Sequence, residues 1–436
     1  MKANSLKTAA ALLAGCAVLL LAGCESKGSE PLPETEFGAL VKLAAGDAAD
    51  SDLFGMSVAI DDSWAIVGAP GANGAGTDQG RAYVFQQSQG GTDAWGQLVE
   101  LAAADYADSD FFGISVDISG DYAVVGAYEE NGSGTNRGAA YVFYRNQGGE
   151  NNWGEVKKLV AIDAQDNDEF GCQVAIYGDT IVVGASGEDG TGTDQGAAYV
   201  FYRDFGGENN WGQVKKLVAG DPADTNQFGY DVAVSGDTIV VGSPGESGEG
   251  DDRGAAYVFY RDLGGEDAWG QAVKLLPADP FDDTWFGTTV AVQGTIAVVG
   301  AAWDDSTVTN QGAAYVFYKD MGGLDLWGQV KKLVASDADD EDLFGYDVAI
   351  DGSYILAGAF RAAGGGTERG QAYIFSKDEG GADAWGEVQR LRASDAANDD
   401  RFGYSVAIEG LFLLVGALGE DGDGLDRGAA YVFKKL

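Results

Sequence analysis

Residues 112–127 read Phe112-Gly113-Ile114-Ser115-Val116-Asp117-Ile118-Ser119-Gly120-Asp121-Tyr122-Ala123-Val124-Val125-Gly126-Ala127. Two β-forming runs, Ser115–Ile118 and Tyr122–Ala127, flank a tight turn of the kind that antiparallel hairpins use. A Gly-rich acidic loop leads to a third run, Ala139–Tyr144, and a Gly148-Gly149 hairpin to a fourth, Glu155–Val160. These runs are strands A, B, C and D. B and C are apolar at nearly every position, not at alternate ones, so both their faces are predicted to be buried. A small antiparallel sheet has that pattern when it is sandwiched between two others, as in radially stacked propeller blades.

The stretch recurs every 58 residues. Phe-Gly stands at Phe54, Phe112, Phe170, Phe228, Phe286, Phe344 and Phe402. Gly-Ala or Gly-Ser stands at Gly68 and six later copies, and Ala-Tyr-Val/Ile-Phe at Ala82 and six later copies. Trp-Gly marks Trp95, Trp153, Trp211, Trp269, Trp327 and Trp385, with Phe37-Gly38 in the preceding place. Seven copies fill residues 31–436 without insertion or deletion. Strand D carries Lys157-Lys158, Lys215-Lys216 and Lys331-Lys332. Lysine suits an exposed edge, which puts D outermost and A innermost. The chain enters on a D-like run, Gly38–Leu43, and leaves on a C run, Ala429–Phe433. The expected fold is therefore an all-β, seven-bladed propeller of four-stranded antiparallel blades. Its last blade is completed by the N-terminal strand. An open solenoid of the same repeats would need atypical caps, and the sequence has none.

Charge and residue choice narrow the function. The formal net charge is −42, which disfavours nucleic acid and favours cations and basic partners. The chain has no histidine, which removes Ser-His-Asp catalysis and histidine-bound zinc. Cys16 and Cys24 fall in the leader, so the body holds only Cys172 and no internal disulfide. Cys172 takes a place held by Met56, Ile114 or Tyr230 elsewhere and reads as an apolar filler.

Met1–Cys24 reads as an export signal, with Lys2 and Lys7 before an apolar run from Ala9 to Ala22. Leu21-Ala22-Gly23-Cys24 matches a bacterial lipobox, making Cys24 the expected lipidation site. The expected organisation is a signal peptide over 1–23, a lipidated tether over 24–35 and the propeller over 36–436. Glu25 after the cysteine points to the outer membrane, so the expected location is the bacterial cell envelope.

These landmarks resemble the FG-GAP repeat, known from the integrin α-subunit propeller and from bacterial surface proteins. The resemblance covers Glu36 to Leu436. It implies a propeller and a binding or adhesion role. Integrin-type repeats often place a calcium loop between strands A and B. Here that link is a tight turn such as Tyr177-Gly178-Asp179, too short to supply six to eight oxygens.

Chain direction puts the D–A and B–C loops on one face of the ring and the A–B and C–D turns on the other. The acids crowd the first face. Each D–A loop carries a cluster: Asp47, Asp50 and Asp52, then Asp105, Asp108 and Asp110, then Asp163, Asp166 and Asp168, with later copies through Asp395, Asn398 and Asp400. Two readings compete for them. The i, i+3, i+5 spacing suits hard oxygen ligands for calcium, and Asp and Asn also cap turns and solvate a surface. No loop matches a calcium motif closely, which weighs toward capping, and Asp421–Asp426 comes nearest. Trp64, Trp285 and Trp303 break the repeat and are candidate ligand contacts. Among the A strands Asp117, Asp231 and Asp347 stand out as candidates for a carboxylate-based hydrolase or lyase. The expectation is a monomeric binding module for a protein or glycan ligand rather than an enzyme. A passive structural lipoprotein is the third alternative.

Overall fold

The computed structural model describes residues 36–436 apart from positions 75, 249, 322 and 324. The predicted signal peptide, Cys24 and the tether lie outside them. Among the described residues twenty-eight strands form seven four-stranded antiparallel sheets, with no helix. In blade 1 strands A to D are Val58–Asp61, Trp64–Ala69, Arg81–Gln86 and Gly96–Leu101. Blades 2 to 6 follow at 116–159, 170–217, 232–275, 290–333 and 348–391. Blade 7 takes A, B and C from Phe402–Glu409, Phe412–Ala417 and Ala429–Lys435, and D from Phe37–Leu43. The N-terminal strand thus closes the ring as the repeat phase predicts, with Phe37 opposite Lys435 and Leu43 opposite Ala430.

The apolar faces of B and C are buried between blades. Each of the seven hydrophobic clusters is shared by two neighbours, as when Ile66 and Val84 of blade 1 pack on Ala123, Val125 and Tyr141 of blade 2. The cluster between blades 7 and 1 joins Leu414 and Val432 to Val67 and Tyr83, so the closing interface is built like the others. Every D strand carries a β-bulge against C, for example where Val142 and Phe143 pair with Lys157 and Glu155. A bulge twists the outer edge away from further pairing.

The Phe-Gly and Gly-Ala glycines meet across each interface. A Cβ on Gly68 would run into the carbonyl oxygen of Gly113 in the next blade. The same holds for Gly126 against Gly171, and at closure for Gly416 against Gly55. The Phe-Gly glycines also sit at positive φ, such as +94° at Gly113, which L side chains rarely adopt. The phenylalanine beside each is fully buried and packs on aromatics of its own C strand, as Phe112 does on Tyr141 and Phe143.

The inner edge of each A strand has no fifth strand to pair with, and the preceding blade supplies the acceptors. The hydroxyl oxygen of Ser57 accepts from Val116 N–H at 3.0 Å, and Asp347 Oδ2 accepts from Val406 N–H at 2.7 Å. One turn further down, Ser119 accepts from Gly178, Ser235 from Gly294 and Asp351 from Gly410, each acceptor 59 residues before its donor. The closing interface repeats both bonds, with Ser405 accepting from Val58 and Glu409 from Asp62. We predict that Gly358→Ala, which drives a methyl into the backbone of Gly403, destabilises the ring by about 1–3 kcal/mol or more. Urea denaturation measures this directly.

Candidate functional site

Each D–A loop is a junction between two blades, and its three carboxylates part company there. Asp105, the first of its loop, turns to blade 2, where its oxygens accept from Tyr141 OH at 2.9 Å and Lys158 Nζ at 2.7 Å. Lys158 also pairs with the buried Glu130 of the B–C loop at 3.0 Å and lies over the Tyr141 ring. Asp163 makes the same cluster with Lys216 and Glu188. Asp47 stands beside Tyr83 in a blade where Glu100 replaces the lysine and pairs with Arg81. Desolvation pushes the Tyr141 phenol up, and Asp105 adds to it. Asp105 is desolvated too, yet its bonds from Lys158 and Tyr141 win and hold it below the usual carboxylate range.

The second carboxylate turns back to the preceding blade. Asp108 accepts from Thr77 N–H and Gln79 Nε2, Asp166 from Thr135 N–H and Arg137 Nε, and Asp50 from Leu425 N–H and Arg427 Nε across the closing interface. The third caps its own turn. Asp52, Asp110 and Asp168 accept from the backbone N–H three residues earlier at 2.6–2.7 Å, and all three are buried. The structure therefore gives these nine acids separate partners and does not bring each trio together on one point. Among the described residues no group of three or more Asp, Glu, Cys or His gathers as a metal site. Asp421–Asp426 is the turn common to the B–C loops. Asp421 accepts from Asp426 N–H as Asn131 does from Asn136 and Asp189 from Asp194.

D is the outermost strand, as its lysines imply, and the second lysine of each pair also takes part in these ion clusters. One expectation is corrected. Cys172 does not fill a core: it is half-buried, lines the axis, and its Sγ lies 3.5 Å from Gly229 O. Burial pushes its thiol up to about 11, which makes it a poor nucleophile.

The ring encloses an axial cavity of about 290 Å³ on the D–A and B–C face, continuous with a second of about 260 Å³ between the A strands. Ser57, Gln173, Asp231, Asp347 and Ser405 line both. This position is polar in every blade, and Ser57, Asp231, Asp347 and Ser405 use it to accept an inner-edge bond from the next blade. Asp231 accepts from Val232 and Val290, and Asp347 from Val406 and Thr289. Deeper in the channel, Asp117 accepts from Ile118 at 2.8 Å and Ile176 at 2.7 Å. Desolvation pushes Asp117 and Asp231 up to about 7 and Asp347 up to about 6.

The mouth breaks the repeat. The position before each Phe-Gly phenylalanine adopts positive φ in all seven copies, from Leu53 to Arg401. Three backbone bonds to the preceding B–C loop hold that conformation, as from Ser109, Phe111 and Phe112 to Thr77, Asp78 and Gln79. The geometry is constant while the side chain varies, being Glu169 in one blade and Trp285 in another. Trp285 lies 5.0 Å from Trp303, and Trp303 lies 6.2 Å from Tyr346. Tyr346 then packs on Phe360 at 4.6 Å and on Tyr404 at 4.9 Å. Blades 5 to 7 thus carry one aromatic arc at the mouth, and Phe111 and Tyr128 stand in blade 2. Trp64 does not belong to it. It is buried, packs edge-on against Trp153 and holds Arg145 over its ring. Sequence reading picked out Trp285 and Trp303 but missed Tyr230, Tyr346 and Tyr404. The signal was a tyrosine beside the Phe-Gly glycine where other copies hold Met, Ile, Cys or Thr.

The pH dependence of stability follows from these groups. An acid whose folded pKa is raised binds its proton more tightly in the folded state. It adds stability as pH falls from its folded value toward the ordinary value near 4. Asp117, Asp231 and Asp347 set that window at about pH 7 down to 4. Acids held low, such as Asp105, lose their contribution only below that range. The melting temperature is therefore expected to rise by a few degrees from pH 8 to pH 5. Asp117→Asn shrinks that rise in thermal melts, and an unchanged slope would remove Asp117 from the account.

A family model described as the FG-GAP repeat matches residues 37–85, 95–143, 153–201, 211–259, 269–317, 327–375 and 385–433. Each match runs from strand D of one blade through strand C of the next. No curated protein sequence matches the chain. Among solved structures, a chain of the crystal structure of a mitotic checkpoint complex is similar with a TM-score of 0.55 at 13% identity. The match covers 97% of this chain and 99% of that one, and shows a shared fold alone.

Proposed function

The chain belongs to the FG-GAP repeat family, and on that premise we propose that it is an envelope-anchored binding module recognising a protein or glycan ligand through one propeller face. The face is the one where D–A and B–C loops meet around the axial cavity. The observation that carries the reading is the break in symmetry at the mouth. Framework residues repeat seven times, while the positions around Trp285, Trp303, Tyr346 and Tyr404 do not. A passive structural protein has no use for an aromatic arc on one side of an axial opening. A carboxylate-based hydrolase is less well supported, because the oxygens of Asp231 and Asp347 already carry the bonds that hold A strands together.

Anchoring rests on the lipobox Leu21–Cys24 and the apolar leader. Glu25 after the cysteine supports delivery to the outer membrane, with residues 24–35 as the tether before the first strand. Cys24→Ser is expected to release the protein from the membrane fraction, and retention of the variant there would sink the anchor. Recognition is tested with a Trp285→Ala/Trp303→Ala double variant. Both tryptophans lie outside the blade-to-blade clusters, so the melting temperature is expected to hold. Binding on glycan arrays and to cell-surface proteins is expected to fall at least tenfold. Equal binding by both chains, with equal melting, would move the site off this face.

A further inference from the structure

The axial cavity combines three features that one class of ligand satisfies together. Its volume, about 290 Å³, stands at the lower end of small-molecule sites, enough for one compact ring. Tyr230, Tyr346 and Tyr404 give it aromatic surface from three blades. Beneath them Asp231, Asp347 and Ser405 give it convergent polar groups. The carboxylates of Asp231 and Asp347 line the cavity already fixed by the ring, Asp231 by Val232, Val290 and Gln173 and Asp347 by Thr289, Val406, Val348 and Ser405.

We infer that this cavity binds a single neutral sugar ring, as a free monosaccharide or as the end residue of a glycan, with its apolar face on the tyrosines and its hydroxyls on Asp231, Asp347 and Ser405. The inference rests on the proposed binding face and narrows its ligand. A pyranose needs an apolar wall, a hydroxylated floor, and groups that both donate and accept. Acids pushed up to about 6 and 7 by burial are partly protonated at neutral pH and do both. The chain's net charge of −42 disfavours uronates, sialates and phosphates. The same acids are also weaker counter-ions for an organic cation than fully ionised carboxylates.

Cys172 supplies a test that spares the fold. Its position is tyrosine at Tyr230, Tyr346 and Tyr404, so the ring already accepts an aromatic there, and Cys172→Tyr fills the cavity. Tryptophan fluorescence of the whole protein is titrated with neutral hexoses and N-acetylhexosamines, with uronic acids, and with alkylammonium ions. At least one neutral sugar is expected to saturate with Kd below about 10 mM. Cys172→Tyr is expected to weaken it at least tenfold at an unchanged melting temperature, and uronic acids are expected not to bind. No saturable neutral sugar, or binding undiminished in Cys172→Tyr, overturns the inference. Binding of the ammonium ions alone overturns it too. The face survives either result if recognition of the larger ligand still depends on Trp285 and Trp303.

Discussion

Everything in this ring is spaced by the contact of bare backbone with bare backbone between neighbouring blades. Gly126 of one blade faces the carbonyl of Gly171 in the next, and a single methyl at that point has nowhere to go. The buried phenylalanine beside each Phe-Gly glycine fixes the approach from one side. Because the contact is the same seven times, including Gly416 against Gly55, closure needs no special interface. The axial opening, and hence the cavity, has its width set by that spacing.

A closed ring of small sheets creates a polar problem at its centre. The innermost strands have unpaired N–H groups, and leaving them buried without acceptors would cost about 1–3 kcal/mol each. The chain answers with side chains from the preceding blade, Ser57 to Val116 and Asp347 to Val406 among them. The residues that line the axis are therefore polar for structural reasons first. Any ligand in the cavity meets groups already held in place, which is the rigidity that a binding site needs.

The acidic face has a similar double character. Its carboxylates look like a solvated or cation-seeking ring when read as composition. In the fold they are joints: Asp163 and Glu188 share Lys216 of the next blade, Asp166 holds the preceding B–C loop, and Asp168 closes its own turn. What remains free to vary is the set of side chains at the mouth. There the strained but constant backbone holds Glu169 in one copy and Trp285 in another.

The sequence alone determined the blade count, the four strands of each blade, their order from axis to rim and the closure by Phe37–Leu43. Those features follow from periodicity and from glycine and turn chemistry, which act over a few residues. It also flagged Asp117, Asp231, Asp347, Trp285 and Trp303 as departures from the repeat. Only the tertiary structure decided what those departures face. Asp105 and Asp108 are three residues apart, yet they serve different blades. Trp64 and Trp303 both break the pattern, yet one is core and the other stands at the cavity mouth. Tyr346 and Tyr404, 58 residues apart in the chain, meet at 4.9 Å only because the ring brings successive blades to one axis. A linear repeat records which residue differs from its copies. The direction of its side chain depends on the neighbouring blade, and that is a property of the closed ring.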